Sequence, residues 1–309
     1  MAAGRFSRQL TLRQLRALAA VQAEGSITSA ANQLHLTQPA VTLQLRNLQT
    51  LAGLPLIQRT GDGMRLTDAG REVQRLTERI EAAMFDCEQS LDMIAGRSGG
   101  RVSIGAVSTA KYFVPFMIAG FSERFPRIDV TLRIGNREDI RDALRGYDLD
   151  IAVMGQPPAD LEVEMRPLGN HPHIIVAASG HRLGGKRKLA AADLAGETFI
   201  TREQGSGTRM LMERFFQTSG LKARIGMEMD SNETIKQAVI AGLGIAFISQ
   251  HTVSHELAGR RLVALKVSGL PVMRQWHAIR RADRVLLPPA QAMLDFLGKE
   301  GSRFLPNAR

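Results

Sequence analysis

The sequence predicts an α head followed by an α/β half, the two separated by one long helix. Three observations predict it. Apolar residues recur at helical spacing in three short runs before Gly53. A single run from Thr67 to about Ala95 holds neither Gly nor Pro after Gly70. From residue 101 onward, strand-like apolar runs alternate with amphipathic ones.

In the head, Thr11 and Gln14 form a capping pair opening a helix with Leu12, Leu15 and Leu18 on one side. Gly25 stops it, and Ser26 caps the next, where Ile27, Ala30, Ala31 and Leu34 face inward. Thr37 caps a third helix. Pro39 is tolerated in its first turn because no intrahelical donor is lost there, and Val41, Leu45 and Leu48 form its buried stripe. Gly53-Leu54-Pro55 ends the pattern. "PLIQRTGDGMRLT" then places apolar residues on either side of Gly61-Asp62-Gly63, which predicts a small hairpin.

Along the long helix Val73, Leu76, Ile80, Ala83, Cys87, Ser90 and Ile94 recur at spacings of three and four, a heptad seam weakened by the small Ala83 and Ser90. Cys87 is expected to pack there as a small hydrophobe. "GRSGG" (Gly96–Gly100) is a flexible hinge. Beyond it "VSIGAV", "IDVTLRI", "DLDIAVM", "HIIVAAS", "TFIT", "RIGMEM", "GIAFIS", "LVALKV" and "WHAIRR" read as strands, interleaved with helices and closed by "PPAQAMLDFL". The alternation predicts parallel sheets covered by helices. The strands are too many for one small sheet, so two subdomains with a cleft are expected.

A chain of 309 residues has room for two or three compact units at roughly 150 residues each. The net charge of +10 is uneven: up to Leu66 seven basic residues face only Glu24 and Asp62, whereas from Thr67 to Ala95 seven acids face three arginines. A basic head on an acidic helix suits a polyanion-binding module. No run approaches the roughly 18–20 apolar residues of a membrane span, and "MAAGRFSRQL" has no apolar signal core. The single cysteine excludes an internal disulfide and a cysteine-rich zinc finger, and it fits a reducing cytoplasm.

On the third helix Gln38, Thr42, Arg46 and Gln49 fall at i, i+4, i+8 and i+11, opposite the buried stripe. Glutamine bonds adenine bidentately, threonine bonds base edges or touches a thymine methyl, and arginine suits guanine or phosphate. Arg59 and Arg65 flank the hairpin and are placed to hold phosphates, which sets register. With the short "HL" break and the Thr37-Gln38-Pro39 start, this face is expected in a DNA groove.

The stretch "AANQLHLTQPAVTLQLRNLQTLAGLPLIQRT…RLTDAGREV" resembles the LysR-type transcriptional regulators, and the resemblance extends over essentially the whole chain. It implies a winged helix-turn-helix over residues 1–66, with the helix-turn-helix at about 27–46, a linker and dimerisation helix over 67–96, and an effector-binding domain over 97–309. The last would be a periplasmic-binding-protein-like pair, subdomain I at 101–170 and 272–305 and subdomain II at 171–271. In the family the residues at Thr37, Gln38, Pro39 and Thr42 touch DNA. The full set expected at promoter DNA adds Ser26, Thr28, Leu43, Arg46, Arg59 and Arg65. Relatives often carry a polar or basic reader at Leu43, so a thymine-methyl contact is expected there. The resemblance also implies a cytoplasmic homodimer or tetramer, assembled through the linker helix and the effector domains, with no membrane partner.

"VSIGAVSTAKYFVP", "GNREDI", "LDIAVMGQPP", "EQGSGTRMLMERFF" and "SNETIKQAVIAGLGIAFIS" look like the subset of that family controlling Calvin-cycle (RuBisCO) operons, whose members sense anionic or phosphorylated metabolites. Control of another metabolic operon by a different small anion stays open. The residues carry an anion reading of their own. Ser108 and Thr109 cap a helix with Lys111 in its first turn, and Asn136 and Arg137 open the next. Gly205, Ser206, Gly207 and Thr208 precede a third, between Arg202 and Arg209, and Asn232 opens a fourth. Helix N-termini present unpaired amides to anions. Met154, Gly155 and Thr201 complete the expected effector-binding set.

Nothing points to catalysis: no nucleophile-base pair, no paired carboxylates and no metal set are evident. "GSGT" lacks the lysine of a P-loop, and "AGLGIAF" reads as a helix C-cap leading into a strand. "HPH" (His171–His173) and His251/His255 show no third ligand, so no metal is expected, and no cofactor beyond the anionic effector. A sugar-phosphate enzyme is the rival from another class, and a solute-binding protein would need export.

Overall fold

The structure, a computed structural model, describes residues 4–97, 99–220 and 222–306. The chain divides into two compact units, Met1–Glu88 and Gln89–Arg309.

The first unit is built from local signals. Following α1 (Arg5–Gln9), the Thr11 hydroxyl accepts from the Gln14 amide at 3.3 Å while the Gln14 side chain accepts from the Thr11 amide at 2.9 Å, opening α2 (Leu12–Glu24). Gly25 ends it at φ 68°, a left-handed position that suits glycine. Ser26 and Thr37 cap α3 (Ile27–Gln33) and α4 (Gln38–Ala52). Between these two helices His35 takes φ 54°, and the Leu36 amide donates back to the Ala31 carbonyl at 2.9 Å. The hairpin β1 (Ile57–Thr60) and β2 (Gly63–Leu66) pairs Thr60 with Gly63, and the Met64 amide ties it to the Gly25 carbonyl at 2.8 Å. Leu15, Leu18, Val21, Ala30, Val41, Leu45, Leu48, Leu56, Leu66 and Val73 form one core. Gly70 is buried in the first turn of α5 (Asp68–Ile94), where any Cβ would overlap the Leu56 carbonyl oxygen.

The predicted seam of α5 divides. Val73 and Thr77 are buried and Ile80 packs on the head core, but Ala83 and Cys87 are exposed and Ile94 is 83% exposed. Cys87 thus lies on the exposed part of the stripe in the single chain, where the expected seam would meet a second copy. The head uses up the near half of the stripe, and among the described residues nothing covers the far half, where Met84, Phe85 and Leu91 also stand out. The expected hinge over Gly96–Gly100 includes Ser98, which lies outside the described residues.

In the second unit β3 (Arg101–Val107), α6 (Val114–Arg124), β4 (Asp129–Gly135), α7 (Arg137–Arg145) and β5 (Ile151–Met154) lead into the long β6 (Val163–Ala178). Then come β7 (Thr198–Arg202), α8 (Gly207–Ser219), β8 (Arg224–Met229), α9 (Asn232–Ile240) and β9 (Ile245–Ser249). The short α10 (Ser254–Ala258), β10 (Leu262–Leu265), β11 (Val272–Arg281) and α11 (Pro288–Glu300) complete it. Hydrogen-bonded neighbours run β4-β3-β5-β11-β6-β9-β7-β8, with β10 on β6.

Parallel pairing holds for β3 with β4 and β5 and for β7 with β8 and β9, as the βα alternation implies. The purely parallel expectation fails in the middle. There β6 and β11 pair antiparallel from Val163↔Arg281 to Val272↔His173, and each also runs antiparallel to the strand beyond it. These two strands link two subdomains with separate cores. One holds Ile104, Phe113, Phe121, Ile151, Trp276 and Met293, with Phe113 edge-on to Trp276 at 5.0 Å, a contact worth about 0.5–1.5 kcal/mol beyond burial. The other holds Ile175, Phe199, Leu211, Phe215 and Phe247, backed by Ile174, Ile235 and Val239 across the sheet. No helix among the described residues is long and apolar enough to cross a membrane.

Candidate functional site

The outer side of α4 is open. Thr28, Thr37, Gln38, Pro39, Thr42, Leu43 and Arg46 are exposed, and the side chains of Gln38 and Arg46 make no hydrogen bond or ion pair with another described residue. The Thr42 hydroxyl donates to the Gln38 carbonyl at 2.9 Å, which leaves its lone pairs facing outward. Ser26 is half-buried, occupied in capping α3 and donating to the Ser29 hydroxyl at 2.9 Å. Arg59 and Arg65 are exposed on the hairpin, Arg65 3.5 Å from Asp62. Gln49 departs from the predicted face: it is half-buried and its side-chain oxygen accepts from the Leu56 amide at 2.9 Å, tying the turn before the hairpin. Leu36, 46% exposed in the break between the two helices, is an outward apolar residue that helical spacing missed.

A cleft of about 480 Å³, its mouth included, opens in the second unit at strand C-termini and helix N-termini. Val107, Ser108 and Thr109 enter it from the turn after β3, Asn136 and Arg137 from the start of α7, and Met154, Gly155 and Gln156 from the end of β5. His171 and His173 of β6, Arg202 of β7, Ser206, Gly207 and Thr208 at the start of α8, and Arg274 of β11 complete the lining. No Asp or Glu lines it. Asn136 and Asp139 form a capping box on α7, whereas the buried Ser206 at the head of α8 makes no side-chain cap bond, so its hydroxyl is unengaged by its own helix.

Arg202 is 3% exposed and almost fully engaged. Its Nε and Nη2 donate to Glu203 at 2.7 and 2.8 Å, Nη1 donates to Asn232 Oδ1 at 2.8 Å, and Nη2 reaches Ser108 Oγ at 3.1 Å. It is a clamp across the cleft whose charge Glu203 offsets. The less committed cations are Arg137, whose buried Nε has no partner among the described residues, and Arg274, whose Nη1 donates to Gln156 at 2.5 Å. Burial, then the like charges of Arg214 and Arg137, pull the Arg274 guanidinium below its ordinary value.

Five predicted residues lie off the lining. Lys111 stands 4.0 Å from Glu233, and Arg209 is held outside by Glu213 and by Glu228 of the neighbouring strand. Strand alternation turns Thr201 away from Arg202, and its buried hydroxyl donates to the Arg202 carbonyl at 3.2 Å. Gly205, at φ 82°, shapes the turn into α8. Asn232 sits behind Arg202 and is 1% exposed. Lys111 and Arg209 are thus drawn off by acids distant in sequence, Glu233 and Glu228.

Val107, Gln156, His171, His173 and Arg274 were missed; "HPH" at the middle of β6 was the available signal. His171 stacks on Trp276 at 3.7 Å and 16°, and Trp276 Nε1 donates to His251 Nδ1 at 3.1 Å. His171 Nε2 lies 3.0 Å from the Ser249 hydroxyl, and Nδ1 is buried without a partner among the described residues. Burial, reinforced by the nearby His173, His251 and Arg274, holds His171 neutral, well below the usual imidazole range. Burial likewise pushes His173 down to about 3 and His251 down to about 4. A Cβ on Gly155 would stand 2.8 Å from His171 Nδ1, so glycine keeps this edge of the ring open. No group of three His, Cys, Asp or Glu residues among the described ones could hold a metal ion.

Residues 12–71 match the bacterial regulatory helix-turn-helix proteins of the lysR family, and residues 95–302 match the LysR substrate binding domain. The chain belongs to the LysR family. It is 49% identical to the HTH-type transcriptional regulator CbbR of Xanthobacter flavus, over 96% of this chain and 90% of that one. It is 42% identical to the RuBisCO operon transcriptional regulator of Allochromatium vinosum, over 95% and 97%. Among solved structures, the CcmR regulatory domain of Synechocystis PCC6803 in complex with 2-PG matches at a TM-score of 0.62 and 34% identity, covering 64% of this chain and 95% of that one. These LysR-family relatives are named as regulators, not enzymes, and the chain is a LysR-type transcriptional regulator.

Proposed function

We propose that this LysR-type protein regulates a carbon-fixation (RuBisCO, Calvin-cycle) operon in the cytoplasm, and that an anionic or phosphorylated metabolite bound in the cleft sets its activity. The observation that carries the reading is the cleft: it holds no carboxylate, it receives the N-terminus of α8, and Arg137 Nε and His171 Nδ1 are buried there with no partner among the described residues. Such groups are costly to leave unmet; an anion meets the Arg137 Nε–H, and it meets His171 in the tautomer in which Ser249 donates to Nε2 and Nδ1 carries the proton. Similarity to a RuBisCO operon transcriptional regulator supports the operon, and similarity to a domain solved in complex with 2-PG supports the class of ligand. Gln38, Thr42, Leu43 and Arg46 would read base edges, with Thr28, Thr37, Pro39, Arg59 and Arg65 positioned on the backbone. The uncovered apolar stripe from Met84 to Ile94 would pair two copies, giving a dimer or a tetramer.

Fluorescence anisotropy with the protein's own upstream intergenic DNA tests the first half: binding should exceed that of random duplex and fall steeply with salt. Equal affinity for both duplexes would end the DNA assignment. Calorimetry against phosphorylated metabolites, 2-PG included, tests the second, with phosphate-free analogues expected to give no heat. A second reading, control of another operon by a different small anion, would appear as binding to a carboxylate and not to a phosphate.

A further inference from the structure

Arg274 lines a second hollow as well as the cleft. This one, on the second subdomain and open to solvent, spans about 940 Å³ with its mouth included, with Leu211 and Phe215 of α8 and Met273 of β11 on its walls. Leu211 and Phe215 are buried members of the core, so the wall they offer is rigid and apolar. Arg214 stands exposed one residue before Phe215, and the Ser268-Gly269 turn forms the far rim. No Asp or Glu lines the hollow, and among the described residues neither Arg214 nor Arg274 takes part in an ion pair. The two guanidinia lie close enough for the charge of Arg214 to act on Arg274. Like charges gathered without a counter-charge, beside an apolar wall, repel one another and attract a small anion with a hydrocarbon body. A planar guanidinium also holds a carboxylate, sulfonate or phosphate bidentately.

We propose that this hollow is a second ligand site, one that takes a small amphipathic anion. Its aromatic or branched body lies on Leu211, Phe215 and Met273, and its charged head lies between Arg214 and Arg274. Because Arg274 belongs to both spaces, occupancy of one site changes affinity at the other, by the same factor in each direction. That coupling rests on the anion reading of the cleft; the second site does not.

Isothermal titration of the full-length protein with naphthalene-1-sulfonate tests the site directly, and inorganic phosphate serves as the separate probe of the cleft. One sulfonate should bind per chain. Arg214→Glu, which reverses the charge at an exposed position, and Thr218→Trp, which fills the rim, should each weaken it at least about tenfold. Both should leave phosphate binding within about threefold, a change small in free energy. Arg274→Gln should weaken both probes. Sulfonate binding that survives Arg214→Glu and Thr218→Trp unchanged would place the probe elsewhere and overturn the proposal. So would an absence of binding at millimolar sulfonate, the outcome expected if a second copy of the chain covers the hollow. Loss of phosphate binding alone in the unmodified protein would remove the cleft reading and leave this site standing.

Discussion

Replacing Arg202 with methionine keeps an unbranched apolar stem and removes the guanidinium and its charge. In the folded protein it deletes two hydrogen bonds to Glu203, one to Asn232 and one to Ser108. Glu203 is left with a side chain only 20% exposed and no cation, and Asn232 with an unmet oxygen at 1% exposure. Removing one partner of a buried pair costs about 3–5 kcal/mol, and the solvent still reaching Glu203 puts this case near the lower end, at about 3. A unit of this size loses about 2–4 °C of Tm per kcal/mol, so the transition should fall by about 6–12 °C. Adding Glu203→Gln should return part of that loss, because the stranded charge goes with it. Scanning calorimetry of the wild type, Arg202→Met and the double variant measures all three. A fall of less than about 2 °C, or no recovery in the double variant, would refute the clamp: the arginine's charge would then not be offset by its neighbour but available to a ligand.

Gln38→Ala and Thr42→Ala should each weaken binding to the protein's own promoter by about 1–3 kcal/mol while leaving random duplex unaffected, read by footprinting. Arg59→Ala should weaken all sequences alike and lower the slope of log affinity against log salt by about one. Gly155→Val should abolish the response to the cleft ligand in a reporter assay without lowering promoter affinity, because the new side chain closes on His171 Nδ1. Acid should destabilise the second unit in a defined window. His173 and His251 are neutral when folded, with values of about 3 and 4, and take up a proton near 6.5 once unfolded. The unfolded state therefore binds more protons between these limits, so stability is full above about 6.5 and falls as pH drops towards 4. Urea midpoints from pH 7.5 to 4.5 should show this, with a shallower fall in His251→Gln, which keeps an acceptor for Trp276.

The head was readable because its decisions are local. A cap and the amide it accepts from sit three residues apart, a glycine ends each of two helices at left-handed φ, and two residues turn the hairpin. The starts of α7 and α8 were readable for the same reason, and most of the residues singled out there do reach the cleft. The central strands were not. In β6 the run "VEMRPLGN" carries two charges, a proline and a glycine, and looks like a loop. It is held extended by β11, whose residues lie more than a hundred positions further on. Charge balance was hidden in the same way. Glu228, nineteen residues from Arg209, draws that arginine off the cleft, while Arg274 joins it from a distant strand. The seam on α5 is legible as a period, but no described residue of the single chain covers it at Cys87.

The position of β11 has a consequence for biosynthesis. Val267 is the last buried residue of the cores of the subdomain that lies inside the other in sequence, so those cores leave the ribosome ahead of nearly all of β11. The enclosing subdomain, begun more than 150 codons earlier at β3, still lacks β11 between β5 and β6 and the apolar face of α11. The inserted body can therefore mature first, while the nascent chain carries an open β5 edge that invites mispairing until β11 follows it out.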